Sequence, residues 1–483
     1  MLNGNQLNSI GFSYVLSLLE PCSPYGAELA RKPHFYSVSE REELDDEFSR
    51  IDTLMKLLVE HRAAFEKTER ALMQFKNVRK SIERSAMFTL SDVELFEIKR
   101  FLLLLDRLNE AYNELCKDNK PIGIYIRSFP EALDIIDPDG MRAMTFRVSD
   151  RTSQELARIR RERHRLDLEI KKADKTDRDR LSAELTLLAA REENEEFAVR
   201  AQMTKALSAY AGAIMEVVSS IAKLDYAMAK ARLAVKYGCA IPNICENAGH
   251  IRMSEMTNPM VAAALRERNG EFTPISVELC MGSTVLTGAN MGGKSVTVKT
   301  LALNCSLAMA GIAVFARAAS LPLISDIDLL SEDREDAMSG LSSFGGEMTA
   351  LNDIITKEPN GFSLVLLDEF ARGTNPHEGA ALVRAAVKYF SVREKTFAFI
   401  TTHFDDVARL ADKHYQVMGL RNADTEKLRA ALAGGGRNRT RVLEEFMDYG
   451  IFELPNDANP PREALTICYA LGIDKSFIEL TEE

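Results

Sequence analysis

The sequence predicts a mainly parallel α/β domain with flanking helices, preceded by an all-α core and a long helical lever arm. Three textures carry that expectation. From about Cys239 onward, apolar strand-like runs alternate with helical patterns. From about Glu40 to Asn119, apolar residues recur at three- and four-residue spacing in IDTLMKLLVEHRAAF and VELFEIKRFLLLLDRLNEAY. From Ser153 to about Tyr237, Gly and Pro nearly vanish while Ala, Leu, Glu, Arg and Lys dominate. The expected domains are 1–150, 151–238 and 239–483.

Between the first two regions, Asp137-Pro138-Asp139-Gly140 reads as a tight turn before the alternating, strand-like MTFRVSD. The arm reads as long antiparallel helices turning near KKADKTDRDR. Its charge argues against a dedicated phosphate track. Residues 151–180 hold eleven Lys and Arg against seven Asp and Glu, whereas 181–200 hold two against five, so the returning segment nearly cancels the surplus. No aromatic residues interleave with the basic ones there to stack bases.

Composition limits the class further. No run approaches the roughly 18 apolar residues of a membrane span, and the N-terminus has neither a basic head nor a small-residue cleavage site. A soluble, cytoplasmic protein with no membrane partner is expected. The seven cysteines are scattered without a CxxC pair, and the nearest two, Cys239 and Cys245, have no histidines at zinc spacing, so buried free thiols are expected. A net charge of -11 disfavours a surface that coats nucleic acid throughout.

The chemistry concentrates after residue 280. Gly288-x-x-x-x-Gly293-Lys294-Ser295 follows an apolar run and opens a helical pattern, the arrangement of a phosphate loop. Its glycines let backbone N–H groups face phosphate oxygens, and the helix N-terminus adds its positive end. Lys294 would neutralise the β and γ phosphates and Ser295 would hold Mg2+. The run Phe362 to Leu367 is nearly continuously apolar and ends in Asp368 and Glu369, as a buried strand does where it opens on a ligand crevice. At that edge Asp368 would reach the metal and Glu369 would polarise the attacking water. A third apolar run, Thr396 to Thr402, ends at His403, placed to sense the γ phosphate. Asp424 to Pro461, with Gly434-Gly435-Gly436 and Asn459-Pro460-Pro461, is expected to include a mobile surface loop.

Four motifs in fixed order carry a resemblance: TGANMGGKS, SGLSSFGGEM (Ser339 to Met348), LVLLDEFARGTNPHEGAAL (Leu364 to Leu382) and ITTHFDDVARL (Ile400 to Leu410). Together they resemble the ATPase domain of the MutS family, within the ABC ATPase superfamily. LDYAMAKARLAVKYG is similar to the end of the MutS lever helix, EFTPISVEL to the strand segment before its phosphate loop, and GFSYVLSLLEPCSPYGAEL to the entry to its core domain. The resemblance implies an ABC-type P-loop ATPase that uses ATP and Mg2+. It implies Phe272 stacking on adenine, Gly288, Asn290, Gly292, Gly293, Lys294 and Ser295 at the phosphates, Asp368 with Ser295 at Mg2+, and Glu369 and His403 as catalytic groups. Ser342 and Ser343 stand where the family's signature segment meets the γ phosphate held by the other subunit, and Arg372 to Asn375 occupy the loop that crosses that interface. A dimer follows, either a homodimer or a heterodimer with a MutS-like paralogue.

The sequence also departs from the family. Ala289 replaces the usual Pro, only Pro259 remains of an upstream Arg-His-Pro, and no Phe-x-Glu occurs in the first thirty residues. A short form is expected, without a mismatch-reading domain or a C-terminal Smr domain, and with the 133–163 segment closer to the second bacterial MutS subfamily. Two functions are compatible with the resemblance. In one, the arms clamp DNA in repair or recombination. In the other, they act on a protein, as short MutS-like proteins associated with reactivating cobalamin-dependent aminomutases do.

Overall fold

A computed structural model describes residues 2–117, 122–246, 249–288, 292–331, 343–358, 360–424, 426–428, 431, 442, 445–455 and 473. Ten strands are present among them: β1 (Asn243–Cys245), β2 (His250–Met256), β3 (Ile275–Cys280), β4 (Gly282–Thr287), β5 (Ala318–Pro322), β6 (Ile324–Leu330), β7 (Phe362–Asp368), β8 (Thr396–Thr401), β9 (Lys413–Gly419) and β10 (Asp448–Leu454). They form a four-stranded sheet in the order β1-β5-β2-β3 and a six-stranded sheet in the order β10-β9-β4-β8-β7-β6. In the larger sheet every neighbouring pair is parallel except β9 and β10. The mainly parallel sheet expected from the alternation is therefore present. Its inner strands are buried on both faces, with all six residues of β4 and of β8 out of solvent. On one face, Val365, Leu367 and Ile400 pack with Val383, Val387 and Phe390 of the helix Pro376–Ser391.

The chain divides into two compact units, and their borders differ from the expected consecutive domains. One unit combines Met1–Leu19 and Pro33–Asp52 with Lys230–Glu483; the other combines Glu20–Lys32 with Thr53–Ala229. Backbone and buried polar contacts explain why N-terminal residues join the sheets. Tyr36 N–H donates to Met309 O at 2.8 Å, Gln6 Nε2 to Leu329 O at 2.8 Å, and Asn258 Nδ2 to Ile10 O at 3.0 Å. Lys230 Nζ donates to Glu47 Oε1 at 2.8 Å, and both side chains are nearly buried. Periodicity alone does not reveal such long-range bonds.

The other unit is helical. The helix Asp92–Cys116 opens with a capping box between Ser91 and Glu94 and buries Leu95, Ile98, Phe101, Leu102 and Leu105. Asp137 is buried against Lys99 at 3.1 Å and starts the predicted turn, with Gly140 N–H donating to Asp137 O at 2.9 Å. MTFRVSD does not form a strand. Instead of pairing, Val148 and Phe146 pack beside Leu156, Val199 and Met203. The arm is a helical hairpin, Gln154–Ile170 and Lys175–Ser208, that turns within KKADKTDRDR as expected. Arg160 is buried between its helices and pairs with Asp150, with Glu192 at 2.9 Å and with Glu196 at 2.5 Å. Arg163 reaches Glu192 at 2.6 Å. The basic surplus of the outgoing helix is thus partly spent on the acids of the returning one.

Most of the stretch around Gly434-Gly435-Gly436 and Asn459-Pro460-Pro461 lies outside the described residues. Inside the expected loop, however, residues 448–454 form β10. Among the described residues no single helix is long and apolar enough to cross a membrane. Cys239 is buried, with its thiol pushed up to about 12 by desolvation.

Candidate functional site

Three strand ends meet at one edge of the larger sheet. β8 lies between β4 and β7, with Thr401 in register with Leu286 on one side and Asp368 on the other. Beyond Thr401 the ladder continues through Thr402 N–H, which donates to Leu286 O at 3.1 Å. The loop after β4, the acids ending β7 and the residues after β8 therefore open on the same crevice, outside the carboxyl ends of the strands.

The loop after β4 turns through glycines for steric reasons. Gly288 has φ +132°, and a Cβ there would lie 2.1 Å from Val417 Cγ2. Gly293 has φ +83° and caps the helix Lys294–Met309 without any side-chain cap, leaving the first N–H groups of that helix to an outside acceptor. At the root of the loop, Thr287 Oγ1 and His414 Nε2 are 2.8 Å apart within the buried sheet. Lys294 is almost fully buried. Its Nζ donates to Gly288 O at 2.7 Å and lies 3.0 Å from Glu369 Oε1.

The acidic side is built around one hydroxyl. Thr401 Oγ1 donates to Asp368 Oδ1 at 2.9 Å and accepts from the Glu369 backbone N–H at 2.9 Å. Burial raises the Asp368 carboxyl above its ordinary range; hydrogen bonds from Ser295 and Thr401 oppose this, while the Glu369 charge adds to it. A divalent cation beside Asp368 would favour the ionised form. The groups present, the Asp368 carboxylate and the exposed residue Ser295 that hydrogen-bonds it, suit Mg2+, which keeps water and phosphate oxygens rather than an all-protein cage. Among the described residues no cluster of three or more His, Cys, Asp or Glu that could hold a metal occurs. Glu369 sits at φ +48°, and its Oε2 accepts from Arg372 Nη1 at 3.0 Å.

Of the residues singled out in the sequence, the structure brings Gly288, Lys294, Ser295, Asp368 and Glu369 into one cluster through the bonds above. Gly292 and Gly293 complete the turn into the helix. His403 is exposed, two residues past Thr401 at the same edge, with its ring 4.1 Å from that of Phe404. Phe272 is half-buried in the segment before β3. Asn290 and Ser342 lie outside the described residues, and Ser343 is placed only as the first residue of the helix Ser343–Thr356. Sequence reasoning missed Thr401 and Glu347. Thr401 sits at the end of an apolar run beside His403, which was signal enough to single it out; Glu347, which accepts the Ala371 N–H at 3.2 Å, gave none.

A family model described as MutS domain V matches residues 284–432, the stretch that contains this entire cluster. The chain is also 30% identical over 249 residues to the endonuclease MutS2 of Caldanaerobacter subterraneus subsp. tengcongensis. Residues 284–432 thus match the fifth domain of the MutS family. MutS domain V is an ABC-type ATPase domain, which agrees with the mainly parallel sheet. The chain is likewise similar to the DNA mismatch repair proteins MutS of Syntrophomonas wolfei, 31% identical over 215 residues, and Shouchella clausii, 31% identical over 219 residues. The first match covers 51% of this chain and 30% of the relative; the other two cover 44% and 45% of this chain and 25% of each relative. The matched part therefore spans less than a third of the length of these relatives.

Proposed function

We propose that the chain binds and hydrolyses ATP with Mg2+ at sites shared between two subunits, and that the cycle opens and closes its helical arms on DNA. The observation that carries this is the convergence of Lys294, Asp368 and Glu369 at one sheet edge, where Lys294 reaches Glu369 and both acids are bonded to Thr401. Lys294, the N–H groups of the helix Lys294–Met309 and the residues Gly288, Asn290, Gly292 and Gly293 bind the phosphates, with Phe272 taking the adenine. Ser295 and Asp368 hold Mg2+, which when bound neutralises phosphate charge. Glu369 accepts a proton from the attacking water and His403 contacts the γ phosphate. Ser342 and Ser343 of one subunit complete the site of the other, so a homodimer or a heterodimer with a paralogue is the working form.

ATP turnover by the purified chain tests the engine. Lys294→Ala should abolish nucleotide binding, and Glu369→Gln should bind ATP yet leave it intact. Parental turnover by Glu369→Gln would remove that residue from the role of base. The DNA reading is tested by binding to duplex, mismatched and branched DNA across a salt series, where a clamp gives a clear negative salt slope.

A second reading is favoured by the arm itself. Arg160 and Arg163 are directed at Glu192 and Glu196 across the hairpin rather than left for phosphates. In that reading the arms act on a protein partner. Absence of DNA binding at low salt, with and without ATP, would select it.

A further inference from the structure

Both carboxylate oxygens of Glu369 are taken by cations. Lys294 Nζ stands 3.0 Å from Oε1, and Arg372 Nη1 donates to Oε2 at 3.0 Å. The group that binds phosphate and the group that polarises water thus neutralise each other. Their side chains are 2% and 9% exposed, so neither charge is well solvated if the pair separates. Arg372, by contrast, is 46% exposed and approaches from the open side.

The backbone that carries Arg372 is fixed on two sides. Glu369 and Ala371 both adopt positive φ, +48° and +62°. Ala371 N–H donates to Glu347 Oε2 at 3.2 Å, and a Cβ on Gly379 would lie only 2.7 Å from Ala371 O. Glu347 belongs to the helix Ser343–Thr356, so that helix bears directly on the place from which Arg372 reaches.

We propose that Arg372 is a positioning residue that allows Glu369 to release Lys294 when the phosphates of a nucleotide arrive, with Glu347 setting its reach. This rests on the reading of Lys294 and Glu369 given above. Phosphate oxygens and Glu369 Oε1 compete for one ammonium group. With Arg372 on Oε2, Glu369 keeps a counter-ion after Lys294 turns away. Without Arg372, a buried carboxylate would face a triphosphate uncompensated, and Lys294 would stay on Glu369.

The test is a thermodynamic cycle read by binding rather than turnover: titration of the 483-residue chain with a fluorescent ATP analogue. In the parental background, Arg372→Ala weakens affinity by about tenfold, a discounted figure for a half-exposed partner of a buried charge. In the Glu369→Gln background the same change alters affinity by no more than about twofold, because a neutral amide needs no counter-ion. Glu347→Ala follows Arg372→Ala, while Glu347→Gln, whose amide oxygen still accepts the Ala371 N–H, binds like the parent. Equal losses in both backgrounds, or no loss in the parental one, overturn the inference while leaving the nucleotide site standing. A parental chain that binds no analogue removes both. If Arg372→Ala does not fold, Arg372→Gln runs the same cycle.

Discussion

Thr401 donates its hydroxyl proton to Asp368 Oδ1 across 2.9 Å, inside a sheet where both residues are buried. The same oxygen receives the Glu369 N–H, so one side chain fixes the two acids by different bonds. Thr401→Val preserves shape and removes both. We expect a loss of about 2 kcal/mol in folding stability from the unsatisfied groups, measured by urea denaturation. We also expect weaker Mg2+ binding, with half-saturation of ATP turnover shifted to higher Mg2+. Unchanged stability and Mg2+ dependence would show that Thr401 merely fills space.

Gly288→Ala places a methyl carbon against Val417 at a φ that L residues rarely adopt. It should remove ATP binding and cost about 3 kcal/mol of stability. Combining it with Val417→Ala relieves the clash and leaves the backbone penalty, so partial recovery in thermal melting is expected. Full recovery would mean that φ at Gly288 carries no cost.

Glu47 gives a pH-dependent prediction. Burial alone would raise its carboxyl, but Lys230 and Arg50 outweigh that and hold it below its ordinary value of 4.5. A depressed folded value contributes stability above 4.5 that is lost as pH falls through the lower folded value. Glu47→Gln should therefore be less stable than the parent by about 3 kcal/mol at neutral pH, and the gap should close below pH 4.5. A gap that stays constant down to pH 3 would contradict the pairing.

In the arm, Arg160→Met leaves Asp150 and Glu196 without the guanidinium that joins them. Amide hydrogen exchange in Gln154–Ile170 and the facing part of Lys175–Ser208 should quicken by about tenfold or more, as local opening becomes easier. Exchange in the sheet strands should not change.

The strands β4, β7 and β8 were legible because strands buried on both faces write mostly apolar runs, and their last residues meet at one edge of the sheet. The arm was legible as far as its turn, because helical residues without Gly or Pro admit few alternatives. MTFRVSD misled because alternation marks a strand only where a partner strand exists; here Val148 found a helical cluster instead. Arg160 looked like one of many surface charges, since nothing local distinguishes an arginine that will be buried by acids more than thirty residues away. The same holds for Glu347 and Arg372, whose partners are set by how the loop after β7 folds back.

The division of the chain between its two units has a practical side. The polypeptide passes from one to the other at 19/20, 32/33, 52/53 and 229/230. A fragment cut to begin near residue 239 would keep every nucleotide motif and still lose Phe12 and Leu44, both buried in the intact chain. Expression of that fragment should yield aggregated or partly folded material, and supplying residues 1–52 in trans should not restore it, because those residues alternate between both units. Dissection of this protein by truncation is therefore a poor guide to which part does what; internal loop deletions that respect all four crossings are the informative alternative.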